Sequence, residues 1–388
     1  MPASSDVIVS FNIVRFEYLR DRVVGDSQVR FDKLNAVALE FTDAAGRTGL
    51  GFAHSMFDAY ASRDACERAF AAGPWREIEG SQPQPLIHRV ERPRGGNRRD
   101  RFAGLDEAVQ IALWDLAARQ ADLPLATYLG GVRESVPAYA SGLDFHLDDA
   151  AFTAFFGHAA ELGFKAFKIK VGAADLGWDL HRLALLRDVV GPEAGVMIDA
   201  NEAWTAKQAV MNLEAMRRAG HDLVWVEDPI LRDDFEGLAL LRAAVPWTAV
   251  NSGEYLDASG RRRLLQMGAT DILNVHGRIT EVMRLGWLAA DMGVPVSLGN
   301  TFLEIGVHAA CALPEVAWME HSFQNYDHLV DEPIRVVDGR IYVPDRPGHG
   351  LRLSDAARTI WASDAPQDRA EMAVGPPSHL LKDQCAAA

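Results

Sequence analysis

From Val136 onward the chain repeats one pattern: a short apolar run ending in a polar residue or glycine, then an amphipathic stretch that leads to the next run. The runs end near Ser141, Lys170, Asp199, Glu227, Glu254, His276, Gly299 and Glu320, at intervals of 21 to 29 residues. Each interval is the length of one strand-plus-helix unit, the crossover that parallel neighbours require. Eight such units predict an α/β fold closed as a TIM-type barrel. An open doubly wound sheet is the alternative, but it needs no such regular count.

The 388 residues leave room for an appendage. Residues 7–17 and 35–43 read as strands, with a mobile polar loop from Asp21 to Gln28 between them. A turn at Ala44 to Gly46 leads into GLGFAH and completes a small antiparallel meander. Between Asp106 and Ala121, Val109, Ala112, Leu113, Leu116 and Ala117 share one helix face. Arg89 to Arg101 holds six arginines in a glycine-containing stretch, either a solvated basic loop or a lid that contacts an anion. Beyond the eighth run, Asp338-Gly339 joins two short strands, 334–337 and 340–343, as a hairpin expected to pack on the meander.

Charge and cysteine content narrow the function. With 39 Lys and Arg against 54 Asp and Glu, the net charge of −15 disfavours nucleic acid or an acidic membrane surface as partner, while a small anion remains admissible. Cys66, Cys311 and Cys385 are far apart and lack CxxC spacing, which argues against a disulfide framework and a thiolate metal site. The N-terminus has no basic segment followed by an apolar one, and no apolar run reaches the roughly 18 residues of a membrane span, so a cytoplasmic protein is expected.

The second run, KAFKIKVG, puts Lys168 and Lys170 on one strand face and Phe167, Ile169 and Val171 on the other. Two solvated lysines on an edge strand would be the plain explanation. In a barrel, however, strand ends converge on one mouth, and the next three runs end in Asp199, Glu227 and Glu254. Three carboxylates there repel one another unless a cation holds them, and hard oxygen ligands suit Mg²⁺, or Mn²⁺ in its place. Such a set serves abstraction of the proton α to a carboxylate: the cation stabilises the enediolate, and Lys168 beside Lys170, with the metal close by, lowers the pKa of the base.

These motifs resemble the enolase superfamily, specifically its mandelate racemase and muconate lactonizing group, in which a lysine or histidine base works with Mg²⁺. The resemblance is carried by EAVQIALWDLAARQADLPLATYLGG, KIKVG, DAN, EDP and the Glu254 site. It implies a modified (β/α)₇β barrel with an α+β capping domain built from both chain ends. The expected boundaries are 1–130 for the cap, 131–322 for the barrel and 323–388 for the returning segment, poorly ordered from about 363. By the resemblance, Lys170 is the base, Asp199, Glu227 and Glu254 are the metal ligands, and Asn201 lies on the same face.

Departures from the family's pattern mark the remaining candidates. His276 stands where the group carries a lysine or aspartate, ahead of a turn shortened to Gly277-Arg278. It is either a second acid/base opposite Lys170 or a structural or substrate-contacting residue. Arg278 is a candidate for a substrate anion or for a surface role. Gly299 replaces the histidine of mandelate-racemase-like members, TFLE resembles the lactonizing branch with Glu304 as its acid, and Glu320 occupies a carboxylate position that can hydrogen-bond the substrate. His308 and His321 read as structural or surface residues. The expected activity is dehydration of a hydroxy or sugar acid, with racemisation, epimerisation or cycloisomerisation sharing the first step, in a homo-oligomer. A non-catalytic carboxylate-binding barrel is the competing class.

Overall fold

Eight parallel strands close into a ring in the computed structural model, which describes residues 5–55, 60–90, 104–131 and 133–362. The ring is β4 (Ser135–Ser141), β5 (Ala166–Lys170), β6 (Gly195–Asp199), β7 (Trp225–Glu227), β8 (Ala249–Ser252), β9 (Ile272–Val275), β10 (Val296–Leu298) and β11 (Val316–His321), and β11 pairs back onto β4. Seven α-helices cross over between them, from Asp149–Glu161 to Val307–Ala312, and only a short 3-10 turn at Asp327–Leu329 follows β11 before the next strand. The barrel is therefore (β/α)₇β. Several crossover helices begin at a side-chain cap that satisfies a free amide of the first turn: Asp148, Asp175, Thr205, Asp234 and Asp257 each accept from a backbone N–H.

Alternation along each strand sorts the barrel interior into layers. Tyr139, Ala166, Met197 and Trp225, with Ala249, Ile272 and Trp318, fill the floor. Above this apolar plug the inward positions turn polar, so the strand ends form a chemical surface on a packed base.

The appendage is an antiparallel sheet of β1 (Ile8–Gly25), β2 (Arg30–Asp43) and β3 (Thr48–Ser55), with α1 (Arg63–Ala72), α2 (Trp75–Ile78), α3 (Pro83–Val90) and α4 (Asp106–Gln120). α4 packs directly on β3. A Cβ at Gly51 would lie 2.0 Å from the Ala108 carbonyl oxygen, so only glycine allows this approach.

Two expectations are corrected. Asp21 to Gln28 is not a long loop: β1 continues to Gly25, and only a tight turn at 26–29 precedes β2. The charged residues are used at the barrel rim, where Arg22 donates to the carbonyls of Phe323 (2.6 Å), Gly142 (3.0 Å) and Ser322 (3.1 Å). The late hairpin of β12 (Val336–Val337) and β13 (Arg340–Tyr342) pairs antiparallel with β4 instead of packing on the meander. What returns to the cap is the chain after it: His349 bonds to the Leu50 carbonyl oxygen, Arg358 to Glu40, and Ala362 bridges to Phe16. Most of the arginine-rich stretch to Arg101 and the tail from 363 lie outside the described residues.

Candidate active site

β5, β6 and β7 pair so that Lys170, Asp199 and Glu227 are successive register partners. Their side chains meet at the mouth. Lys168 Nζ lies 2.6 Å from Glu227 Oε1, 3.2 Å from Glu320 Oε1 and 3.4 Å from Asp199 Oδ2. Lys170 Nζ donates to Asp199 Oδ2 at 2.5 Å and to Asn201 Oδ1 at 2.8 Å. All these groups are buried, Lys168 to 1% exposure and Glu227 completely.

Two ammoniums face four carboxylates, those of Asp199, Glu227, Glu254 and Glu320. Burial raises every carboxyl pKa, and the lysines overcome this only at Asp199 and Glu320, which are held below the ordinary value. Glu227 stays well above it, and Glu254 is pushed up to about 7 by burial, with Asp199 adding to the effect and Lys168 opposing it. The same surplus acts on Lys170. Burial, the largest effect, lowers its pKa and Lys168 lowers it further, but Asp199 together with Glu254 and Glu320 outweighs both, so the ammonium is favoured.

The donor set fits a hard divalent cation. Negative charge exceeds positive charge in a buried, all-oxygen cluster, which is the condition a Mg²⁺ ion relieves. Among the described residues no three acidic or imidazole groups form a ready-made cage, since the two ammoniums lie between the carboxylates they neutralise. Asp199, Glu227 and Glu254 are the groups that would hold the ion. Asp228 supports the last of them: buried, it accepts from Ser252 Oγ at 2.6 Å and Gly253 N at 3.2 Å, fixing the backbone just before Glu254.

In the eight-strand ring β9 lies four strands from β5, so His276 stands across the mouth from Lys170. Its ring meets Tyr255 edge-on at 5.9 Å, and burial, then Arg261, lowers its pKa to about 4, which keeps it neutral. Asn201 links both domains: its carbonyl accepts from Gln28 at the tip of the β1–β2 hairpin.

Two candidates are not brought into the cluster. Arg278 turns to Glu281 at 3.1 Å, and Glu304 pairs with His321 at 2.9 Å. His321 alternates with inward-facing Glu320 and stacks on Phe164, so this pair lies outside the ring of inward groups. His308 accepts from Ala126 N at 3.1 Å and is structural as expected. The sequence reading missed Asp228, Asn251, Asn274 and Ser297. The available signal was their position, since each of the last three is a polar residue on an inward-facing strand position below the mouth.

A capped (β/α)₇β barrel with lysines and carboxylates on successive strand ends defines a class of enzymes that form carbanions next to carboxylates. The chain belongs to the enolase superfamily, in its mandelate racemase and muconate lactonizing group of enzymes: the sequence model of the family "Enolase C-terminal domain-like" matches residues 153–357. It is 31% identical over 329 residues to 3,6-anhydro-alpha-L-galactonate cycloisomerase of Streptomyces coelicolor, covering 82% of this chain and 88% of that one. L-talarate/galactarate dehydratase of Salmonella typhimurium is 34% identical over 258 residues, 64% of this chain and 63% of the dehydratase. The solved structure of that dehydratase with Mg and L-lyxarohydroxamate superimposes with a TM-score of 0.80 at 26% identity, covering 93% of this chain and 94% of the other. A solved Mesorhizobium loti protein, provisionally described as a mandelate racemase, is 54% identical with a TM-score of 0.92, covering 97% of this chain and all of that one.

Proposed function

We propose that this protein abstracts the proton α to the carboxylate of a hydroxy or sugar acid with the help of Mg²⁺, forming an enediolate that then loses a β-hydroxyl. The observation that carries the proposal is the placement of Lys170 and His276 on opposite strands above the buried Asp199, Glu227 and Glu254 set. A Mg²⁺ ion held there would neutralise the substrate carboxylate and the charge that develops on it.

Lys170 is the base. Burial and Lys168 both push it toward the neutral amine, and only the carboxylates hold it charged. Asn201 Oδ1 orients its Nζ. Lys168 keeps Glu227, Glu320 and Asp199 in place and does not leave the carboxylate layer. His276, neutral at rest, accepts or returns a proton on the far face, and Glu320 is the second group placed to assist the departing hydroxyl. The β1–β2 tip and Asn201 close the mouth, which excludes water from the enediolate. Dehydration is favoured by likeness to the talarate/galactarate dehydratase. The opposed Lys170 and His276 would equally serve epimerisation, which is the second reading.

The test is deuterium exchange at the α-carbon across galactarate, arabinonate and related acids with Mg²⁺, together with an assay for the keto-deoxy product. Exchange with keto acid formation supports dehydration, and exchange with inversion alone supports the epimerase. Lys170→Ala should lower turnover on the order of 10³-fold or more. No exchange with any acid of the panel sinks the proposal.

A further inference from the structure

Along β9 the residues turned into the barrel are Ile272, Asn274 and the following His276. Ile272 joins the apolar floor and His276 reaches the mouth, so Asn274 stands between them. It is completely buried, and neither its Oδ1 nor its Nδ2 has a hydrogen-bond partner. Its neighbours in the same layer are satisfied: Asn251 Nδ2 donates to Ser297 Oγ at 3.0 Å. A buried carboxamide unpaired at both ends is destabilising, and an aliphatic side chain of the same size would remove the penalty.

Gly299 leaves this amide uncovered by any side chain on β10's end. A Cβ there would lie 3.2 Å from Asn274 Oδ1, 3.3 Å from His276 Cβ and 3.8 Å from Glu254 Oε1. Gly299 is not among the glycines of positive φ, so its backbone does not require glycine. What its missing side chain does is keep a methyl from pressing on the amide between the Glu254 carboxylate and the foot of the imidazole.

We propose that Asn274 is a substrate-binding residue whose amide, left uncovered by glycine at 299, pairs with a neutral hydroxyl of the substrate. The amide needs both a donor for Oδ1 and an acceptor for Nδ2. A hydroxyl supplies both, whereas a carboxylate would leave Oδ1 unpaired and would meet the charge of Glu254. The assignment rests on the α-proton-abstraction reading and narrows it: the substrate carries a hydroxyl on the side turned toward His276.

The test uses Mg²⁺-loaded Lys170→Ala protein, which binds without turning over. Galactarate and arabinonate, with their 2-deoxy and 3-deoxy counterparts, are titrated by calorimetry. With Asn274 present, one deoxy counterpart of each acid should bind about 10- to 100-fold more weakly than its parent. Adding Asn274→Leu should abolish that preference and leave the melting temperature unchanged or raised, and adding Gly299→Ala should abolish the preference with Asn274 in place. Equal weakening of parent and deoxy acids by Asn274→Leu overturns the assignment alone, as does a lowered melting temperature with the preference intact, which would make Asn274 part of the scaffold. Failure of every acid to bind any of these proteins overturns the α-proton-abstraction reading as well.

Discussion

Lys168 concentrates the electrostatics of the site in one atom, for its Nζ contacts Glu227, Glu320 and Asp199 together. Removing one partner of a buried ion pair strands the others and costs about 3–5 kcal/mol. Lys168→Met should therefore lower the melting temperature markedly in EDTA. A divalent cation replaces part of the lost charge, so saturating Mg²⁺ should raise the variant's midpoint by more than it raises the wild type's. Equal Mg²⁺ shifts in the two proteins would show that ion and ammonium do not share the same carboxylates. At this scale the sequence was informative where a charged residue ended an apolar run, as at Lys170, Asp199 and Glu227. Alternation put Asn274 on an inward position of its four-residue strand, but nothing in the sequence marks one inward asparagine as unpaired. Nor did the sequence give any sign of the pairing of Glu304 with His321, beside left-handed backbone at Leu303 and Glu304 that no residue pattern signals.

Among the elements, the β1–β2 hairpin carries the cap's contribution to the mouth. The strand-helix periodicity of the barrel could be read because each unit repeats the same local physics. The hairpin could not be read, because Asp21 and Arg22 look solvated until the rim carbonyls that receive Arg22 are in view. The pairing of β13 with β4 was hidden for the same reason: a strand's periodicity does not say which free edge it will meet. Arg22→Met removes three hydrogen bonds from a charged donor while touching no group of the Lys168 and Lys170 cluster. If the docked tip falls to about a tenth of the population, KM rises about tenfold and kcat stays within about threefold. Steady-state kinetics on whichever acid proves to be the substrate reads this split. A fall in kcat at unchanged KM would mean that the tip acts on the chemistry and not on closure.

Across the whole molecule, cap and barrel are held together by a buried chain of imidazoles and one carboxylate. Asp115 on α4 accepts from Leu50 N at 2.8 Å and His349 N at 2.7 Å, His349 Nε2 bonds to the Leu50 carbonyl oxygen at 2.7 Å, and His308 Nε2 bonds to the His349 carbonyl oxygen at 3.2 Å. Burial holds both imidazoles neutral: His308 is lowered to about 3, and His349 is lowered as well. An unfolded histidine takes up its proton near 6.5. Between that pH and about 3 the unfolded chain binds more protons than the folded one, so the stability His308 contributes is complete above pH 6.5 and is lost as pH falls through the window. Glu107, raised to about 7 by burial, works in the opposite direction: its contribution is present below its ordinary value and is lost as pH rises through 7. The net slope of the wild type mixes these signs, and a comparison with His308→Asn separates them. That variant keeps an acceptor for Ala126 N without a group that titrates near 6.5. Melting curves in EDTA from pH 7.5 to 4.5 should show wild type losing stability relative to His308→Asn by up to about 1.4 kcal/mol per pH unit below 6.5. A constant difference between the two proteins over that range would mean that His308 takes up its proton as readily in the folded protein as in the unfolded chain, and that the link between cap and barrel is not set by burial of neutral imidazoles.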